Sequence, residues 1–357
     1  MNMACVDVLV LGLGPAGACA AAQAARQGCT VIGIDRKQVA GRPVQCAEFV
    51  PAMIGMDVAE LQSSVRQRIV SMTTFVEQDA PDIRENFPGH MLDRAAFDAH
   101  LVGQAVASGA QCTLGVSARR ITAEGVVILS DGRSIMPRVI IGADGPRSLA
   151  GRAIGQINTA MVETRQITVP LHHAHEATDI FLSADIPGGY GWLFPKGDVA
   201  NLGAGVDPAC KHQLKAIVQR LHETLMVRDQ VGACILGMTG GLIPVGGLLQ
   251  PWGRIAHVLV LLAGDAAGLT NPVTGAGISA AVHSGRLAGL VAASATGGDL
   301  SAPEDYAEGY AEELNDIFGA ALARARQRRV ALAARQPDKE DLRRSWIAYP
   351  QYWTGAA

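Results

Sequence analysis

The sequence predicts an α/β fold: a parallel sheet covered by helices, a smaller and mostly antiparallel second sheet, and a short helical C-terminal part. Three observations predict it. Short apolar runs at 6–11, 138–142 and 258–262 each lead into a glycine-bearing turn, as buried parallel strands do. An alanine-rich stretch at 18–27 follows the first of these turns and stops at Gly28, which reads as a helix. Between 161 and 206 the pattern becomes strand-like, with turns at Pro187-Gly188-Gly189 and Lys196-Gly197-Asp198, as expected of antiparallel strands.

Taken in order, strand 6–11, helix 18–27 and strand 30–34, ending at Asp35, make a βαβ unit. Residues 92–107 read as a helix, with Asp93 as N-cap and Gly109 as stop. Residues 126–129 and 134–136 flank Asp131-Gly132 and read as a hairpin. Periodicity makes 211–227 a helix, 277–293 is a long helix of small residues, and 304–335 is helical and becomes basic.

Composition narrows the class. The 357 residues are 49% apolar, enough core for two domains or for one large domain with an inserted sheet. A net charge of −3 speaks against nucleic acid as a partner. Seven cysteines, an odd number without a C-x-x-C pair, suit neither a disulfide framework nor a zinc site, and they point to a reducing compartment. The first apolar run carries Asp7 and leads into glycines, unlike a secretory signal. No apolar stretch reaches the roughly 18 residues of a spanning helix. The expectation is a cytoplasmic chain, soluble or attached only at a membrane surface.

Gly12-x-Gly14-x-x-Gly17, with Pro15 and Ala16 inside it, lies between the first strand and helix. Gly12 permits a tight turn, Gly14 lets backbone approach a pyrophosphate, and Gly17 allows close helix–strand packing. The helix N-terminus favours negative charge. Asp35 closes the second strand, where a carboxylate can accept from ribose hydroxyls. The pattern reads as a dinucleotide site. It does not separate nicotinamide from flavin.

Two later segments do so by resemblance. Residues 140–152, Ile-Ile-Gly-Ala-Asp-Gly-Pro-Arg-Ser-Leu-Ala-Gly-Arg, resemble the strand-plus-Gly-Ala-Asp-Gly segment of flavoproteins related to para-hydroxybenzoate hydroxylase. Residues 263–277, Ala-Gly-Asp-Ala-Ala-Gly-Leu-Thr-Asn-Pro-Val-Thr-Gly-Ala-Gly, resemble that superfamily's Gly-Asp motif. The resemblance implies FAD in a Rossmann-like domain, with Asp265 at the ribityl chain and a helix start near the flavin ring. A helix N-terminus there stabilises negative charge on the reduced flavin.

The continuation at 271–288, Asn-Pro-Val-Thr-Gly-Ala-Gly-Ile-Ser-Ala-Ala-Val-His-Ser-Gly-Arg-Leu-Ala, is similar to the geranylgeranyl reductase family, which saturates isoprenoid double bonds of polyprenyl lipids. Pro43-Val44-Gln45-Cys46-Ala47-Glu48 resembles that family's cysteine loop near the flavin. Leu92-Asp93-Arg94-Ala95-Ala96-Phe97-Asp98 resembles its helix start, whose arginine lies near FAD. The stretch from Pro187 to Gly197 carries its Tyr-x-Trp-x-Phe-Pro cavity pattern. The cofactor contacts so implied are Gly12, Gly14, Pro15, Ala16, Gly17, Asp35, Arg36, Arg42, Cys46, Arg94, Asp144, Gly145, Gly264, Asp265, Pro272, Gly275, Ala276, Gly277 and Ile278. The part after residue 300 is short for this family and matches none of its motifs, which predicts a more open cavity.

Candidate residues carry more than one reading. Tyr190, Trp192 and Phe194 share a strand face and are either core or a cavity wall binding substrate. Cys46 is either a small buried hydrophobe or a thiol facing the flavin, with Arg42 as a neighbouring cation. Cys46, Tyr190 and Trp192 are the catalytic candidates. His172, His173 and His175 suggest a metal cluster but lack partner ligands, so a solvated strand or loop is expected and no metal. Arg324, Arg326, Arg328, Arg329 and Arg335, followed by Trp346, Tyr349, Tyr352 and Trp353, form either a solvated face with a packing tail or a contact surface for anionic lipid or an acidic partner.

The expected organisation is a discontinuous FAD domain at 1–70, 90–155 and 255–300, a substrate cap at 71–89 and 156–254, and a helical segment at 301–357. The expected reaction is reduction of a carbon–carbon double bond in an apolar substrate by hydride from reduced FAD. The electron donor stays open between NAD(P)H and a ferredoxin-like protein, since no second dinucleotide motif is visible. Two rivals remain. One is a flavin monooxygenase acting on a small molecule or on a residue of a protein partner. The other is a non-catalytic flavoprotein that binds a partner. Halogenation is disfavoured, because flavin halogenases carry Trp-x-Trp-x-Ile-Pro where this chain has Tyr190-x-Trp192-x-Phe194-Pro195.

Overall fold

The computed structural model describes residues 3–52, 61–297, 303–333 and 336–354. Strand β1 (Met3–Leu11) pairs in parallel with β2 (Val31–Asp35) on one side and with the strand Ser134–Gly142 on the other. Val258–Leu262 and Gln111–Leu114 extend this parallel sheet at its two sides, and Trp252–Ile255 adds an antiparallel edge. Val258–Leu262 is buried at every position. That accounts for a continuous apolar run where an alternating one would mark a half-exposed strand.

Helix α1 (Pro15–Arg26) packs against α2 (Arg94–Ala107) and against the long helix Ile278–Gly297. The second contact is main chain to main chain. A Cβ on Gly285 would lie 2.1 Å from the Ala16 carbonyl oxygen, and one on Gly289 2.5 Å from that of Ala20. The small-residue stripe read from the sequence is therefore a packing surface, and it seats the first turns of α1 against the middle of the long helix.

The second sheet has seven strands in the order Gly237–Pro244, Met161–Pro170, Val199–Val206, Gly191–Lys196, Ala177–Leu182, Ser71–Val76 and Asp82–Arg84. All its pairs are antiparallel except Ala177–Leu182 with Ser71–Val76. Helix Leu214–Val227 covers it through Ile217, Val218 and Leu225. The helix starts three residues later than the periodicity predicts, because Pro208–Gln213 forms a 3-10 turn capped by the Asp207 carboxylate. A small sheet of Phe49–Pro51, Gly89–Leu92 and Val65–Ile69 joins the two halves. Leu92 is thus the end of a strand, and α2 begins only after the Asp93 carboxylate accepts from the Ala96 amide.

The C-terminal helices run Pro303–Leu314, a wider turn Asn315–Gly319, and Ala320–Ala333. Tyr310, fully buried, donates to the Leu262 carbonyl at 2.7 Å and fixes this arm to the parallel sheet. Residues beyond it return to the second sheet. Trp346 and Tyr349 are buried in one cluster with Met72, Ile180, Trp192 and Phe194. The short tail thus packs on the aromatic strand. Among the described residues no helix is long and apolar enough to cross a membrane.

Candidate active site

The first turn is built by sterics. Gly12 sits at φ +91°, and a Cβ there would come 2.4 Å from the Ala143 carbonyl oxygen. A Cβ on Gly17 would meet the Gly12 carbonyl at 1.8 Å. Gly14 differs: nothing lies within 4 Å of its Cβ position, and it starts α1 with no side-chain cap and no acidic residue in the first turn. Pro15 takes the first helical position and Ala16 is buried. An uncapped helix N-terminus opening on free space fits a pyrophosphate. The Asp35 carboxylate accepts from the Leu13 and Lys37 amides, each at 2.8 Å, so it locks the two turns together while keeping lone pairs for further donors. Arg36 and Arg42 are exposed.

Asp144 accepts from Ser148 Oγ at 2.5 Å and the Leu149 amide at 2.6 Å, and so organises the start of helix Leu149–Ala153. Burial pushes its carboxyl above the usual range. Gly145, at φ +83°, again has open space at its Cβ position. On the third segment, Asp265 accepts from Thr270 Oγ1 at 2.6 Å. Burial raises its pKa, opposed by the Thr270 hydrogen bond and by the nearby Arg94 guanidinium. Gly264 donates to Ser284 Oγ at 3.0 Å. The Asn271 carboxamide oxygen accepts from the Val273 and Thr274 amides, folding the turn through buried Pro272, Gly275 and exposed Ala276. Gly277 packs on Thr270, and Ile278 opens the long helix.

Between these segments and the second sheet lies a polar corner around Cys46. The Arg94 guanidinium, held by Asp98 at 3.0 and 3.1 Å, lies near Cys46; burial works against its charge, and chiefly the Asp98 carboxylate keeps its pKa above the ordinary value. The guanidinium at Cys46 thus belongs to Arg94, not to Arg42 as the loop sequence suggested. Tyr190 donates to the Thr274 carbonyl at 2.5 Å; burial, with Cys46 nearby, pushes its phenol up. Trp192 Nε1 donates to Gln166 Oε1 at 3.0 Å, and Gln166 Nε2 donates to the Cys46 carbonyl at 3.3 Å. Trp192 and Phe194 are each 6% exposed. Gln166, Glu48, Lys196 and Asn201 belong to this corner but escape sequence reasoning, since their partners lie far along the chain; only Asp98, four residues from Arg94 on a helix, had a local signal.

The other candidates lie apart. His172 and His173 both face Asp229, whereas His175 pairs with Asp179. Arg328 donates to the carbonyls of Gln351, Tyr352 and Thr354, and Arg329 reaches the Pro272 carbonyl. Arg324 lies over the Trp353 ring and Arg326 is exposed. The basic run is therefore no uniform solvated stripe. Arg335 lies outside the described residues.

A parallel sheet with an uncapped glycine turn, two further turns each holding a half-buried aspartate and an apposed antiparallel sheet define a flavoprotein oxidoreductase. The model of the geranylgeranyl reductase catalytic domain matches residues 158–243. Digeranylgeranylglycerophospholipid reductase 3 of Methanosphaera stadtmanae is 31% identical, over 93% of this chain and 87% of its own. The structure of a geranylgeranyl bacteriochlorophyll reductase-like protein from Thermoplasma acidophilum superimposes with a TM-score of 0.84 at 25% identity, over 96% of this chain and 90% of that one. The flavin-dependent brominase Bmp2, at 16% identity and TM-score 0.68, covering 90% of this chain and 87% of its own, shares the fold alone. The chain belongs to the geranylgeranyl reductase family.

Proposed function

We propose that this chain binds FAD and reduces carbon–carbon double bonds of an isoprenoid lipid. The observation that carries the reading is the hydrogen-bonded corner in which Glu48 ties the Cys46 sulfur to the start of α2 at Arg94, Gln166 ties the Cys46 loop to Trp192, and Tyr190 reaches the turn that follows Asp265. The α1 N-terminus at Gly14 and the turn at Gly145 would hold the pyrophosphate and its neighbourhood, Asp35 the adenosine ribose, and Asp265 the ribityl chain. When bound, FAD supplies hydride to the substrate. The chain's own work is to present an apolar wall at Tyr190, Trp192 and Phe194, to exclude water there, and to hold the Cys46 thiol, with Tyr190 beside it, where a proton is needed. Family relatives are named as digeranylgeranylglycerophospholipid reductases, which supports a lipid of that class as substrate. Peripheral contact with a lipid surface would fall to exposed Arg324 and Arg326.

The test is a mass measurement. Protein purified with its flavin, reduced with dithionite without oxygen and given a digeranylgeranyl lipid, should add pairs of hydrogens to it. Oxygen uptake stimulated by substrate, with a product heavier by one oxygen, would replace the reading with a monooxygenase. Pairing the protein in turn with NAD(P)H and with reduced ferredoxin identifies the donor.

A further inference from the structure

Glu48 is 4% exposed and stands at φ +71°, a backbone conformation that side-chain-bearing residues adopt rarely and at functional positions more than elsewhere. Its carboxylate is fully engaged. Oε1 accepts from the Arg94 amide at 3.0 Å; Oε2 accepts from Lys196 Nζ at 2.7 Å and Asn201 Nδ2 at 3.0 Å. Its own amide donates to Cys46 Sγ at 3.2 Å. A second bridge reaches the same loop, from Trp192 through Gln166 to the Cys46 carbonyl. Trp192 and Lys196 lie on one strand, Gly191–Lys196. Both bridges therefore run from the aromatic strand of the second sheet to Cys46.

We propose that Glu48 is a positioning residue for the Cys46 thiol, coupling the placement of that thiol to the strand that lines the substrate side. Its carboxylate anchors the loop to Lys196 and Asn201 on one side and to the start of α2 on the other. Its amide holds the sulfur, and the left-handed backbone at Glu48 turns both groups inward together. A neutral residue of the same size fails in this role: in Glu48→Gln the carboxamide nitrogen must face either the Lys196 and Asn201 donors or the Arg94 amide, and one anchor opens. The inference rests on the reductase reading only for what the thiol does, not for where it is held.

The test reads the thiol directly. Flavin-loaded protein is treated with iodoacetamide over a pH series, and alkylation of Cys46 is followed by peptide mass spectrometry. Exposed Cys5 and Cys234 serve as internal controls. Glu48→Gln and Lys196→Met should each change the Cys46 rate about tenfold or more, with control rates and flavin content as in the wild type. The effects should be less than additive in the double variant, since Glu48 and Lys196 are direct partners. Kcat should fall in the variants with KM nearly constant. A wild-type Cys46 rate in folded Lys196→Met, whose ammonium is partly exposed, overturns the proposal even where Glu48→Gln does not fold. Altered alkylation in a protein that saturates no double bond would leave the positioning role standing and sink the reductase reading.

Discussion

The Trp346 ring centre lies 4.8 Å from that of Tyr190, so the C-terminal tail touches the residue just before the aromatic strand. Trp346 is 3% exposed and its indole N–H points to Met72 Sδ at 3.4 Å. Trp346→Ala should cost about 3–5 kcal/mol, the range for emptying a packed aromatic site. Denaturant unfolding checks this, and a loss under 1 kcal/mol would show the tail to be loosely seated.

Gly14 and Gly285 make a contrasting pair. Gly14→Ala adds a methyl to open space, so the fold should survive with its melting temperature within a few degrees, while flavin retention drops. Gly285→Ala drives a methyl into the Ala16 carbonyl and should lower both. Absorbance of the bound flavin and thermal melting separate the two effects. Equal melting temperatures for the two variants would argue against the close helix contact.

Asp265 gives a pH dependence whose sign is set. Burial raises its folded pKa above 3.8. The carboxyl therefore favours the folded state most when protonated, below 3.8, and that contribution is lost as pH rises through the raised folded value. Asp265→Asn does not titrate. In flavin-free protein the stability of the variant relative to wild type should rise as pH climbs above 3.8 and then level off. Urea unfolding at several pH values measures the difference, and a flat profile contradicts burial as the cause.

Cys46→Ala should lower turnover by about 10²–10⁴, the range for losing a positioned proton donor, with flavin content intact. Cys46→Ala turning over like wild type would assign the thiol to packing.

Sequence carried the glycine and aspartate turns further than the corner around Cys46. Gly12, Gly14 and Gly17 are legible because local sterics demand glycine at set spacing, and Asp265 and Arg94 because short motifs surround them. The burial of Val258–Leu262 followed from its unbroken apolar run. The bridges from Lys196 to Glu48 and from Trp192 through Gln166 were not legible. They join residues far apart in sequence, and a glutamate or glutamine in isolation reads as surface. The seat of the tail was not legible for a related reason. Length alone gave no sign that the returning chain would set Trp346 against Tyr190.

The contact of Gly285 and Gly289 with the backbone of α1 has a consequence for how this protein can change. Two helices touching through their main chains slide poorly and tolerate no larger residue between them, so the cradle they build behaves as a single casting. Variation among descendants of this chain should then collect in the second sheet and the C-terminal tail, where side chains meet side chains. There a swap can be absorbed by its neighbours without recasting the helix pair.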